Sequence, residues 1–132
     1  MSEFEQILPI GEPNDTYAAY FTGRCFVAPL ASGNDVNMMN VTFEPGCINY
    51  WHIHHEVEQY LLCTAGEGWC EIEGQPPVKM TPGTAVVVPE GTRHWHGAAQ
   101  DGWFSHVALM AVKDGMGTEW LEPVDDEHYR SL

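Results

Sequence analysis

A chain of 132 residues, 44% hydrophobic and 18% charged, can bury one sizeable core, roughly two thirds of the surface its unfolded form exposes. Five basic residues against nineteen acidic ones give a formal charge of −14, which argues against nucleic acid and anionic membranes, since both attract clustered Lys and Arg. No apolar run approaches the roughly 20 residues that span a bilayer, and the opening Met1-Ser2-Glu3-Phe4-Glu5 lacks the positive region and apolar stretch of a secretory signal.

The chain reads as a single domain. Residues 1–20, with the turn-forming run Gly11 to Asp15, form an N-terminal arm. Short runs rich in Val, Phe, Tyr, Trp and Cys follow: Arg24–Leu30, Val36–Phe43, Cys47–His54, Glu58–Thr64, Gly68–Ile72, Thr84–Val88, Thr92–His96 and Trp103–Val112. Gly and Pro separate them at near-regular intervals, the pattern of an all-β barrel or sandwich. Residues 36–112 hold the barrel, and 113–132 form an acidic, irregular tail in which Val124–Ser131 has a weak helical period. Met38, Met39, Met80 and Met110 read as core filler. Trp51, Trp69, Trp95, Trp103, Tyr50 and Tyr60 read as lining or capping the barrel. Cys25, Cys47, Cys63 and Cys70 contain no C-x-x-C pair, so they are expected as reduced thiols in a cytoplasmic protein.

Six of the seven histidines cluster: Trp51-His52-Ile53-His54-His55, then Arg93-His94-Trp95-His96, then His106 ten residues later. On a strand, residues two apart share a face, so His52 projects with His54 and His94 with His96. Two strands presenting imidazole pairs to one interior can surround a single metal ion. Uncharged imidazoles packed into one interior otherwise lack a shared partner. His55 has the opposite parity and is expected at a solvated loop, His128 at the surface, and Arg93 in a surface salt bridge.

These residues resemble the two motifs of the cupins, in order and spacing. Gly46 is followed by five residues, His52-Ile53-His54, four more to Gln59 and six more to Gly66; Gly83 is followed by five residues, Pro89-Glu90-Gly91, two residues, His94 and then Ala98. The resemblance implies a double-stranded β-helix, or jelly roll, holding one divalent ion (Zn, Mn, Fe, Ni or Co) on His52, His54, Gln59 and His94. Two residue types depart from the family pattern: Gln59 stands where Glu is usual, and Ala98 where Asn is usual. Glu58 also falls within the permitted ligand spacing, but only Gln59 puts the turn glycine at 66 in register; strand parity allows just one of the two to face inward.

A neutral amide beside three neutral imidazoles leaves a divalent ion its full charge. That favours Lewis-acid work over oxygen chemistry. The expected chemistry is therefore non-redox and metal-dependent, and resemblance to small cupins implies a lyase, isomerase or decarboxylase. Its substrate would be a small oxygenated organic acid, lactone or sugar acid, anionic or carbonyl-containing, with His96 and His106 moving protons. A metal-dependent dioxygenase and a non-catalytic metal- or metabolite-binding module are the alternatives. A narrower resemblance, carried by stretches such as Asn40 to Gly46, Trp51 to His55, His94 to Ala98 and Glu119 to Pro123, is to small bacterial cupins associated with or fused to carboxymuconolactone decarboxylase. Small cupins commonly form homodimers, and the segment to about Leu30 is positioned to add a strand to a neighbour's sheet.

Overall fold

The computed structural model describes residues 4–132. The first three residues of the expected arm lie outside the described part. Eleven strands, one turn of 3-10 helix and one α-helix lie along the described residues: β1 Glu12–Pro13, then the 3-10 turn Ala18–Tyr20, β2 Cys25–Ser32, β3 Val36–Phe43, β4 His52–His55, β5 Gln59–Gly66, β6 Gly68–Ile72, β7 Val78–Met80, β8 Ala85–Val88, β9 His94–Ala98, β10 Phe104–Ala111, β11 Gly117–Trp120 and α1 Asp126–Arg130. A six-stranded sheet in the order β1-β2-β3-β10-β5-β8 faces a five-stranded sheet in the order β11-β4-β9-β6-β7. All described neighbours are antiparallel. This is the double-stranded β-helix.

Period-2 patterning sets which side chains face inward. On β5, Gln59, Leu61 and Cys63 are buried, while Tyr60 and Leu62 are exposed. Phe43, Leu61, Cys63, Met80, Val88 and Phe104 fill the space between the sheets. A second cluster lies outside the five-stranded sheet, where Trp95 packs with Ile48, Val124 and Tyr129. Tyr129 also donates its hydroxyl to the Ala98 carbonyl at 2.7 Å, which fastens the C-terminal helix to the barrel. The six-stranded sheet buries polar residues on its outer face because the N-terminal arm crosses it. Asn40 donates to the Pro9 carbonyl at 2.9 Å, Gln6 donates to Thr42 at 3.3 Å, and the Thr42 and Ser105 hydroxyls pair at 2.8 Å.

The structure differs from the sequence reading at several places. The strand expected over Cys47–His54 is regular only from His52, with Ile48 and Asn49 held in isolated bridges to Gly97 and Phe21. The arm contains β1, which pairs with β2 of the same chain. The tail is more ordered than expected, because β11 adds to the edge of β4. Met80 is buried as expected, whereas Trp95 faces away from the barrel interior and Tyr60 is 45% exposed. The four thiols are buried and free of disulfides, and burial pushes each upward, away from the reactive thiolate form. No described helix is long and apolar enough to cross a membrane.

One glycine carries the turn after the candidate ligand strand. Gly66 has φ +72, and a Cβ there would sit 1.9 Å from the Trp103 carbonyl oxygen. Left-handed backbone costs an L-residue roughly 1–2 kcal/mol and the backbone overlap adds more, so Gly66→Ala is expected to cost about 3 kcal/mol. Gly91→Ala has φ +70 but nothing within 4 Å; it should cost only about 1–2 kcal/mol, the left-handed strain alone. Thermal unfolding of the two variants, side by side, checks the difference.

Candidate metal centre and cavity

Strands β4 and β9 pair at one point, His52 opposite His94, and that single register contact builds the centre. The rings of His52 and His94 lie 4.1 Å apart, with His54 at 5.0 Å from His52 and 5.2 Å from His94. One ring nitrogen from each of the three lies within 4.8 Å of the others, and all three side chains are buried.

Their hydrogen bonds orient them. His52 Nδ1 donates to the Tyr50 carbonyl at 2.8 Å and His94 Nδ1 to the Thr92 carbonyl at 3.0 Å. A carbonyl only accepts, so each neutral ring carries its one proton on Nδ1 and turns a bare Nε2 lone pair inward. His54 Nδ1 is matched with the Thr118 hydroxyl at 3.1 Å. Gln59 Oε1 lies 3.1 Å from His54 Nε2 and 3.4 Å from His94 Nε2. The amide nitrogen turns the other way, toward the Met110 sulfur at 3.7 Å.

With the amide so oriented, the His94 nitrogen and the glutamine oxygen face each other with lone pairs and no proton between them. Burial pushes His94 down to about 4. Burial also lowers His54 and, reinforced by His94 and His54, holds His52 well below the usual imidazole range. Burial thus disfavours the charged form of all three rings, and three uncharged imidazoles beside an amide oxygen are a set able to hold a cation. Three imidazole nitrogens and an amide oxygen suit a borderline divalent metal. Glu58 takes no part: it is exposed and accepts the Tyr60 hydroxyl at 2.5 Å.

Beside the centre lies a cavity of about 350 Å³. Its wall is largely aromatic and aliphatic, including Tyr17, Phe21, Phe43, Met39, Met110 and Trp120, and among the described residues none that lines it is charged. Arg93 stays outside, held by Glu73 at 3.0 Å and Glu122 and lying 4.7 Å over the Trp51 ring. His55 pairs with Glu119 at 2.7 Å, and His128 with Glu71 at 2.7 Å.

His96 and His106 both line the cavity, with rings 4.9 Å apart and perpendicular. The Asn49 amide lies 3.4 Å from the His96 ring nitrogens, and its oxygen accepts the His96 backbone N–H at 2.9 Å. Burial and the neighbouring rings, His106 foremost, hold His96 well below the usual imidazole range. His106 packs against Phe43 and Phe104, and neither of its ring nitrogens has a hydrogen-bond partner among the described residues. Burial pushes it down to about 4; the Val107 backbone opposes this slightly but falls short of hydrogen-bond geometry.

The sequence reading missed Thr118, Trp120 and Asn49. Thr118 and Trp120 share one parity of β11, which a Thr-x-Trp alternation could have signalled; no local signal marks Asn49. The aromatics singled out from sequence are not those that line the cavity.

Residues 39–108 match the cupin domain family model. A protein named (R)-mandelonitrile lyase, from Granulicella tundricola, is 40% identical over 116 residues, covering 86% of this chain and 88% of that one. The chain is a cupin. A cupin-like protein from Thermotoga maritima superposes on it with a TM-score of 0.84 at 31% identity, covering 96% of each chain. The DMSP lyase DddQ from Ruegeria pomeroyi shares the cupin fold, with a TM-score of 0.65 and 21% identity, over 95% of this chain and 64% of that one.

Proposed function

We propose that this cupin is a metal-dependent carbon–carbon lyase that cleaves and forms small aryl cyanohydrins. The observation that carries the proposal is a cavity beside the three converging histidines whose wall, among the described residues, is uncharged and mostly apolar, with Tyr17, Phe21, Phe43 and Trp120 in it. A multiply anionic acid would want a cation in that wall, and none lines it, whereas a neutral aryl carbonyl or hydroxynitrile fits its chemistry. The likeness to a protein named (R)-mandelonitrile lyase supports the same substrate class. Decarboxylation or isomerisation of a small oxygenated organic acid, lactone or sugar acid, expected from the sequence, has no equivalent support from the cavity wall.

His52, His54, His94 and Gln59 are the residues we assign to the ion. When bound, it would supply a Lewis acid for an alkoxide or carbonyl oxygen. His106 is our proposed base: its free ring nitrogen accepts the hydroxyl proton, and that oxygen's electrons form the aldehyde C=O. The bond to the nitrile carbon breaks, and cyanide leaves with the pair. Return of the proton gives hydrogen cyanide. His96, oriented by Asn49, is the second proton carrier. Phe43 and Phe104 keep water from His106. A cytoplasmic homodimer completes the proposal; light scattering should give twice the chain mass.

The test is chelation of the purified protein, reloading with Mn, Fe, Co, Ni or Zn singly, and measurement of benzaldehyde release from mandelonitrile. Release above background with at least one metal, without dioxygen uptake, is the expected result. No release with any metal, alongside turnover of keto acids, lactones or uronates, would replace the proposal with a decarboxylase or isomerase.

A further inference from the structure

Strand β11 brings one hydroxyl to the three histidines, and it differs in kind from the other groups that orient the rings. β4 and β11 pair with Thr118 opposite His54, and Glu119 ties the same two strands together through His55 at 2.7 Å. His52 and His94 each give an Nδ1 proton to a main-chain carbonyl, which only accepts and so permits one tautomer. His54 Nδ1 instead meets Thr118 Oγ1 at 3.1 Å, and a hydroxyl can either donate or accept. At the other end of the ring, His54 Nε2 lies 3.1 Å from Gln59 Oε1. The Gln59 amide nitrogen is engaged by the Met110 sulfur, so the atom turned to His54 is the oxygen, which only accepts.

His54 therefore sits between a partner that accepts and a partner that does both. With its proton on Nε2, the ring donates to Gln59 and accepts from Thr118. With its proton on Nδ1, it donates to Thr118 and turns an Nε2 lone pair into the centre. No proton is gained or lost between the two arrangements, and Thr118 matches Nδ1 in each. We propose that Thr118 is a positioning residue whose hydroxyl reverses its role, so that His54 bonds Gln59 in protein stripped of metal and offers Nε2 to an ion when one binds. The inference rests on the metal-centre reading and does not depend on the substrate. The bond made in the second arrangement is the stronger, because a cation on Nε2 makes Nδ1–H a better donor. Removing the hydroxyl should therefore weaken ion binding.

The test is nitrogen NMR of the seven histidine rings, assigned through the backbone, in the full chain first stripped by a chelator and then loaded with zinc. At about pH 8 burial keeps the three rings of the centre neutral, so the spectra report tautomers. His54 should carry its proton on Nε2 without zinc and on Nδ1 with it, while His52 and His94 keep theirs on Nδ1 throughout. Zinc affinity is measured in parallel by competition with a chromophoric chelator. Thr118→Val should bind zinc at least about tenfold more weakly, and Thr118→Ser within about threefold of the wild type. The two substitutions are crossed. Valine keeps the branched strand-forming shape without the hydroxyl, and serine keeps the hydroxyl without the methyl, so a packing role predicts the opposite order. A His54 proton already on Nδ1 in the stripped protein, a valine variant that binds as tightly as the wild type, or a serine variant no better than the valine one would overturn the inference. Wild-type protein that takes up no zinc sinks the metal-centre reading and this inference with it; zinc uptake with the His54 tautomer unchanged sinks the Thr118 assignment alone.

Discussion

His94→Ala should leave a folded barrel that no longer holds metal. Elemental analysis after dialysis should fall from about one ion per chain to below about a tenth. Loss of a group that merely orients a ligand costs roughly 10–100-fold in affinity, and loss of a ligand should cost at least about 10³-fold. The lyase activity we propose should fall in parallel. His94 is the choice because it faces His52 in the register pair between β4 and β9 and is the ring of the three that comes from the second strand. Gln59→Glu separates charge from ligation. A carboxylate there should strengthen metal binding by about tenfold, yet lower turnover by about 10–100-fold, because it cancels one unit of the ion's charge. Glu58→Gln should change neither, since that carboxylate lies outside on the Tyr60 hydroxyl.

His106→Leu should make the protein more stable and nearly inactive. The imidazole is fully buried, stacked against Phe43 at 5.7 Å with Phe104 tilted against it at 5.4 Å, and unmatched at both nitrogens among the described residues. An apolar side chain of similar size removes an unsatisfied polar group, worth about 1–2 kcal/mol at neutral pH. Turnover should drop by about 10²–10⁴-fold, the range for a positioned proton carrier. The variant should also be less sensitive to acid. Folding lowers His106 from 6.5 to about 4, so as pH falls through that window the unfolded chain takes up a proton that the folded chain refuses. Wild-type stability is therefore lost between pH 6.5 and 4, by about 3 kcal/mol from this residue, and the loss is complete below both values. His106→Leu lacks that component. Melting curves from pH 7 to 4 on both proteins test it, and equal acid sensitivity would show that His106 is protonated in the folded state.

Most strands were legible from composition and punctuation, because a half-buried strand writes its own alternation into the chain. Gln59, Leu61 and Cys63 against Tyr60 and Leu62 is such a case, and it also separates the inward amide from Glu58. The short β1 and β7 were not legible. Two and three residues carry too little pattern, and their existence depends on the partner strand alongside. The barrel interior was misread for aromatics because Trp95, between two inward histidines, must face outward, where Ile48, Val124 and, from the docked C-terminal helix, Tyr129 bury it.

The sequence by itself determined that two His-x-His pairs lie on extended strands and aim their rings to one side, since strand parity is a property of the local backbone. Which nitrogens carry protons, that His106 has nothing to bond, and that Trp120 and Thr118 return from the tail to the cavity were decided only by the tertiary structure. Those facts depend on contacts between residues far apart in the chain: Thr118 meets His54 across 64 positions, and no local pattern encodes where a chain comes back to itself.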